Sequence, residues 1–198
     1  RLIGLASHTG GTAINAGTLS IDVPASVVRD MPAGTISGNG GLLKTGDGTL
    51  AFPNSGNTYA GTTLVSRGTA RVQHSTTFGS AAAPTVVQDG AALDLWGSSD
   101  NGLRLGNEHI YVAGAGPDGN GALRNTGTRS QYWALSYVTL LDDLTVGSSQ
   151  RLDIRGDNAT SSYMNLNGHG ITKKGTSLFG FTNTTVTNDL GTSFIDIQ

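Results

Sequence analysis

Short segments in which apolar and polar residues alternate run through the whole chain. A leucine, isoleucine or valine occupies every second position at residues 19–23, 93–95, 103–105, 152–154 and 195–197. Alternate side chains of a strand point to opposite faces, so we predict that the apolar residues face a core and that Asp94, Arg104 and Asp153 face outward. Apolar positions at helical spacing are missing from every stretch of eleven or more residues. The pattern predicts an all-β fold with little or no helix.

Internal repeats indicate how these strands are arranged. Residues 10–21 resemble residues 61–72, and residues 41–46 resemble residues 170–175. A glycine followed by threonine or alanine also recurs at intervals of roughly 20 residues, which is about one turn of a stack of short strands. Each turn can bury its apolar side only against its neighbours. We therefore predict a parallel β-solenoid of about ten short coils. An antiparallel sandwich is the alternative, although it does not account for the recurring glycine frame.

Composition narrows the classes of function. The 198 residues include 30 glycines, 36% are hydrophobic and 13% are charged, so the chain can bury a core, but a thin one. Cysteine is absent, which excludes disulfides and thiolate metal sites. The formal net charge is -2 and the 12 basic residues are scattered, so we predict no binding to nucleic acid. No apolar window reaches about 18 residues, so we predict no membrane insertion by this segment.

The ends of the chain suggest a piece of something longer. The first residue is Arg1, no signal peptide is visible, and residues 193–198 look like a strand interrupted in the middle of its pattern. We expect a processed or incompletely observed fragment of a longer polypeptide.

One stretch carries a family resemblance. Residues 38–50 read Gly-Asn-Gly-Gly-Leu-Leu-Lys-Thr-Gly-Asp-Gly-Thr-Leu, and residues 55–63 read Ser-Gly-Asn-Thr-Tyr-Ala-Gly-Thr-Thr. This segment resembles the autotransporter-associated β-strand repeat, with its clearest copy at 38–72 and partial copies at 9–21 and 167–181. The resemblance implies a right-handed parallel β-helix in the secreted passenger of a bacterial surface protein, continuous here as a single segment over residues 1–198. The secretion route stays open.

Candidate chemical sites are few. Asp142 and Asp143 are adjacent, and neighbours on a strand point to opposite faces, so we interpret them as a solvated bend between strands rather than a pair of catalytic carboxylates. The glycine-rich residues 114–121 contain a single copy of a calcium-like pattern and are interpreted as a loop. The histidines are far apart in sequence and lack an acidic companion; they are His8, His74, His109 and His169. We predict no catalytic residue, no metal site and no cofactor.

The most aromatic segment is residues 131–137. Strand alternation would place Trp133, Leu135 and Tyr137 on one face and Tyr132 on the other. The simpler interpretation is that these rings fill a wider coil of the core. The functional interpretation is a flat platform for sugar rings or for a partner surface. The residues proposed for that platform are Trp133, Tyr137, Tyr132 and Trp96.

Together these features predict a structural or adhesive extracellular rod of a secreted or cell-surface bacterial repeat protein, and not an enzyme. Exposed solenoid ends would associate with further copies into a filament, or would continue into the parent chain. A glycan or a host-cell surface ligand is the other expected partner. The alternative is a β-helix protein that binds carbohydrate or degrades polysaccharide.

Overall fold

The protein folds as a stack of short parallel strands. A computed structural model describes residues 2–3, 10–100, 102–156 and 161–198, so His8 and Thr9 lie outside the described residues. The described part of the chain contains no helix, and therefore none that could cross a membrane.

The strands, in chain order, are β1 (Leu2–Ile3), β2 (Thr12–Ala13), β3 (Thr18–Asp22), β4 (Val28–Asp30), β5 (Ile36–Ser37), β6 (Gly41–Thr45), β7 (Thr49–Phe52), β8 (Thr63–Val65), β9 (Gly68–Val72), β10 (Thr85–Val87), β11 (Ala91–Leu95), β12 (His109–Gly114), β13 (Leu123–Asn125), β14 (Gln131–Leu135), β15 (Tyr137–Ser148), β16 (Leu152–Arg155), β17 (Ser162–Asn165), β18 (Ile171–Lys174), β19 (Phe179–Thr182), β20 (Thr184–Thr187) and β21 (Ile195–Ile197).

These strands form two long walls and two short sheets. The first wall runs β1-β3-β6-β8-β10-β12-β15-β17-β20, and the second runs β4-β7-β9-β11-β13-β15-β18-β21. The long strand β15 belongs to both walls, because its first part pairs with β12 and β17 and its last part pairs with β13 and β18. The short sheets are β2-β5 and β14-β16-β19. The ladders between these strands are parallel, which confirms the predicted solenoid and removes the sandwich alternative.

The number of turns differs from the prediction. Leu42 pairs with Thr63, 21 residues later, whereas Ile110 pairs with Val138, 28 residues later. The turns therefore lengthen in the second half of the chain, and the stack has about eight turns rather than ten. The prediction was too high because the glycine intervals come mostly from the shorter, earlier turns.

The core consists of equivalent side chains stacked on one another from turn to turn. Val65, Val87 and Val112 are aligned in the first wall, and all three are fully buried. In the second wall Leu93 lies in register with Ala70 and Leu123, and all three are also fully buried. Complete burial of a valine or leucine side chain contributes roughly 1.5–3 kcal/mol, so these stacked rows hold the turns together.

The predicted alternation holds on most strands but not at the last one. Leu103 and Leu105 are buried and Arg104 is exposed, although this segment is not a strand. Ile195 and Ile197 were expected to face the core, yet they are 56% and 80% exposed. Their strand, β21, pairs only with β18, so no further turn of this chain covers them.

The outward-facing aspartates are covered rather than solvated. Asp94 and Asp153 alternate with core residues as predicted, yet both are fully buried. Asp94 accepts hydrogen bonds from the backbone N–H and the hydroxyl of Thr126, at 2.9 and 2.7 Å, and faces the Arg71 guanidinium at 3.4 Å. Arginines from neighbouring positions thus form an outer layer over the wall.

Candidate functional site

The lysine of the repeat motif lies inside a corner of the stack. Lys44 has no exposed surface, and its Nζ donates hydrogen bonds to the carbonyls of Thr45, Gly46 and Arg67 at 3.0, 2.6 and 2.8 Å. Burial lowers the pKa of Lys44 to about 8, against the opposing effect of nearby carboxylates. This ammonium fastens one turn to the next, which makes its role structural.

The equivalent lysine at the other end of the chain occupies a similar corner. Lys173 is buried, and its Nζ donates to the carbonyls of Lys174 and Gly175. Burial lowers its pKa as well. The similarity between residues 41–46 and 170–175 therefore has a physical basis, namely a lysine that binds the carbonyls of a glycine corner.

The second half of the motif also ties turns together. The buried side chain of Asn57 donates from Nδ2 to the carbonyl of Thr77 at 2.8 Å and accepts from the N–H of Ile36 at 2.9 Å, so it links three turns. Tyr59 is fully buried, and its hydroxyl bonds that of Thr63. The polar residues of the motif thus satisfy one another inside the stack and are not available to a ligand.

The aromatic segment differs from its predicted arrangement. Gln131 pairs with Leu152 and Leu135 pairs with Ile154, so four steps along β14 match two steps along β16. This bulge breaks the alternation of β14. Leu135 is buried in the core while Tyr132 and Trp133 are both half-buried outside it. The predicted common face of Trp133 and Leu135 is wrong, and so is the interpretation that these rings fill the core.

Guanidinium groups lie over both of these rings. The Cζ atoms of Arg104 and Arg155 lie 4.9 and 5.0 Å from the centre of the Trp133 ring. Tyr132 has Arg151 at 5.0 Å and Arg155 at 5.5 Å. Each contact falls within the range of a cation–π interaction. We call these five residues the arginine–aromatic cluster.

The charges of this cluster are unevenly paired. Asp153 accepts hydrogen bonds from Arg151 at 2.8 and 3.0 Å and from Arg155 at 2.6 Å. The hydrogen bond to Asp153 raises the pKa of Arg151. Among the described residues, no carboxylate pairs with Arg104, and the buried Nε of Arg155 has no hydrogen-bond partner. Three guanidinium groups therefore share one carboxylate.

A cleft of about 180 Å³ opens beside the cluster. Tyr137 belongs to this cleft, and its ring centre lies 6.3 Å from that of His109. The side chains that line the cleft include Arg104, Asn107, Trp133, Ser136, Tyr137 and Arg155. The structure thus gathers three of the four predicted platform residues, Trp133, Tyr132 and Tyr137, around a cationic cleft.

The fourth predicted platform residue has a different partner. Trp96 lies under the guanidinium of Arg71, with 4.6 Å between its ring centre and Cζ. It also packs closely against Gly127. The sequence analysis did not identify the arginines over either tryptophan. One signal was present, since Arg104, Trp133 and Arg155 are spaced 29 and 22 residues apart, about one turn each.

The comparisons with known proteins agree with this fold. The Passenger-associated-transport-repeat family matches residues 2–21 and 42–69, which include Lys44, Asn57 and Tyr59. The adhesin BmaC autotransporter of Brucella suis biovar 1 (strain 1330) is 31% identical over 139 residues. This chain belongs to the autotransporter passenger repeat proteins. The aligned region covers 67% of the passenger repeat segment and 4% of the adhesin, and no solved structure matches it.

The matched ranges bear on the predicted repeat copies. The family matches most of the clear copy at 38–72 and the partial copy at 9–21. The copy at 167–181 lies outside those ranges. It is supported here by the corner of Lys173 and stays a prediction as a repeat of this family.

An acidic corner of the passenger repeat segment also differs from its prediction. Asp142 and Asp143 lie exposed within β15, where the strand passes from one wall to the other, and not between two strands. Nδ1 of His169, on the next turn, lies 3.7 and 4.0 Å from their carboxylates. The prediction that the histidines lack an acidic companion is therefore wrong for His169. The N–H of Gly170 donates to Asp143 at 2.7 Å, which makes this group a surface contact between turns.

Proposed function

We propose that this segment is part of an adhesive rod on a bacterial cell surface. The observation that carries the proposal is its 31% identity to an autotransporter adhesin, spread over 139 residues of a continuous parallel stack. Eight turns at about 4.8 Å per turn give a rod segment of roughly 40 Å. A rod built this way displays its outer surface at a distance from the cell, so the outer side chains would make the adhesive contacts.

A role without catalysis fits the charged groups on the page. The buried carboxylates of Asp94 and Asp153 are occupied by Arg71, Arg151 and Arg155. Such ion pairs hold an outer layer in place and leave these carboxylates no free oxygen face for proton transfer. We therefore propose a structural and adhesive role rather than a polysaccharide-degrading one.

Adhesion can be measured directly with the purified segment. Beads coated with the protein should bind cultured animal epithelial cells more than beads coated at equal density with a Leu93→Asp variant, in which a charge is buried in the core. Circular dichroism would show that the variant has lost the stack. Equal binding by the two kinds of bead would contradict an adhesive role for the folded rod.

The last turn supplies a second proposal, about continuation. Phe194, Ile195 and Ile197 are 51%, 56% and 80% exposed, and Leu190 is 72% exposed. Because the matching adhesin is far longer than this segment, we propose that a further turn of the parent chain covers this apolar end. In the isolated segment the same end would attract a second copy.

Sedimentation velocity tests this end face. The segment should form concentration-dependent oligomers, and Ile195→Asp together with Ile197→Asp should shift it toward the monomer, because both changes place charge on the uncovered turn. A matched pair of changes on the exposed side of another turn, Val28→Asp with Leu141→Asp, should leave the oligomers in place. Monomers at high concentration would contradict stacking through this face.

A further inference from the structure

We infer that the cleft beside Arg104, Trp133 and Arg155 binds an acidic sugar residue of a glycan through its carboxylate or sulfate group. This inference rests on the proposed surface function and deepens it by naming a ligand class. The cluster, the cleft and the charge imbalance each support it separately.

The aromatic rings hold the guanidinium groups ready for an anion. Arg104 lies 4.9 Å above the Trp133 ring, and Arg155 lies within 5.5 Å of both Trp133 and Tyr132. An arginine that is already stacked loses less freedom when it binds. Its planar fork also matches carboxylate and sulfate oxygens with two parallel hydrogen bonds. The rings therefore act as supports for the arginines, and the face offered to a ligand is cationic.

The charge balance leaves binding capacity at Arg104. Asp153 is already bonded to Arg151 and Arg155, and no described carboxylate pairs with Arg104. The cluster thus carries an excess of positive charge in a protein whose net charge is -2. Such a local excess attracts a single anionic group rather than a long polyanion, since the rest of the molecule does not extend the positive field.

The lining of the cleft favours a sugar over an acidic peptide. Asn107, Ser136 and Tyr137 place an amide and two hydroxyl groups beside the arginines. These groups can donate to and accept from sugar hydroxyls. The volume of about 180 Å³ is below the roughly 300–1,000 Å³ of pockets for drug-sized ligands, so it suits one ring of a chain.

The experiment compares four probes by isothermal titration calorimetry on the intact segment. The probes are a sulfated heparin oligosaccharide, a carboxylated galacturonate oligosaccharide, a neutral dextran oligosaccharide and a hexaglutamate peptide. At least one acidic oligosaccharide should bind, with an affinity that falls as salt is raised. The sulfated and carboxylated probes distinguish which anionic group the cleft takes. Tighter or equal binding of dextran or hexaglutamate would contradict the inference.

A matched pair of variants locates the binding. Arg104→Gln should weaken binding about tenfold or more, since it removes hydrogen bonds to a charged group. Arg67→Gln makes the same charge change outside the cleft, at an exposed pair with Asp47, and should change affinity by less than about twofold. Equal weakening by both variants would show attraction by general charge alone and would overturn the site. Both side chains are exposed, and unchanged melting curves would confirm that the variants fold.

The bead assay separates this inference from the proposed function. Wild-type adhesion without binding of either acidic oligosaccharide would overturn the cleft as a glycan site and leave the adhesive role standing. Acidic-oligosaccharide binding that depends on Arg104, without adhesion to cells, would support the cleft and count against the adhesive role.

Discussion

Leu93→Ala should lower the free energy of unfolding by about 2–5 kcal/mol, the usual range for removing a buried leucine side chain. Leu93 is fully buried at the centre of the second wall, where it lies in register with Ala70 and Leu123. Ala70 is too small to fill the space that the variant would leave. The stacked backbones on both sides are fixed by parallel ladders, so the cavity cannot collapse easily.

Urea denaturation followed by circular dichroism measures this effect, with Leu141→Ala as the matched control. Leu141 is 45% exposed at the corner of β15, so its loss should change stability by no more than about 0.5 kcal/mol. Equal shifts of the unfolding midpoint for the two variants would contradict the proposed core. In a stack where each turn contacts only its neighbours, local melting around Leu93 would broaden the transition as well.

The stacked core was predictable because it follows a simple rule. Alternation at Leu93 and Leu95 shows which side chains turn inward, and the Gly-Thr frame shows that equivalent segments recur. Both signals depend only on local sequence. The count of turns was less accurate, because the long connection that leads into Tyr137 carries no such frame.

The arginine–aromatic cluster could not be predicted in the same way. Its geometry depends on which residues of different turns become neighbours, and on the bulge that moves Trp133 to the outside of the stack. Similarly, Lys44 occupies a position that alternation assigns to the core, and only the corner carbonyls explain how a lysine fits there. Sequence patterns show the face of a residue, whereas its partners follow from the register between turns.

A buried carboxyl group provides the second strong expectation, which concerns pH. Glu108 is 5% exposed, and it accepts a hydrogen bond of 2.7 Å from the hydroxyl of Thr85. Burial raises the pKa of Glu108 to about 7 from its ordinary value of 4.5, although the hydrogen bond from Thr85 acts in the opposite direction. The nearby hydroxyl of Tyr59 is also buried, and burial raises its pKa, so it supplies no compensating charge.

The direction of the pH effect follows from the protons bound in each state. Between pH 4.5 and 7 the folded protein keeps a proton on Glu108 that the unfolded chain has released. Stability from this group is therefore fully present below pH 4.5 and is lost as the pH rises through 7. At about 1.36 kcal/mol per pH unit, the shift corresponds to a loss of roughly 3 kcal/mol.

Glu108→Gln should remove this dependence, because glutamine keeps an oxygen that accepts from Thr85 but does not titrate. Relative to wild type, the variant should gain roughly 3 kcal/mol in unfolding free energy between pH 4.5 and pH 8. Denaturation curves at several pH values measure the difference, and Asp89→Asn, at an exposed carboxylate, should follow the wild-type profile. A constant difference between wild type and Glu108→Gln across this range would show that Glu108 titrates in the fold as it does in water. The carboxyl would then have to reach solvent, and the first wall would have to be open at Thr85.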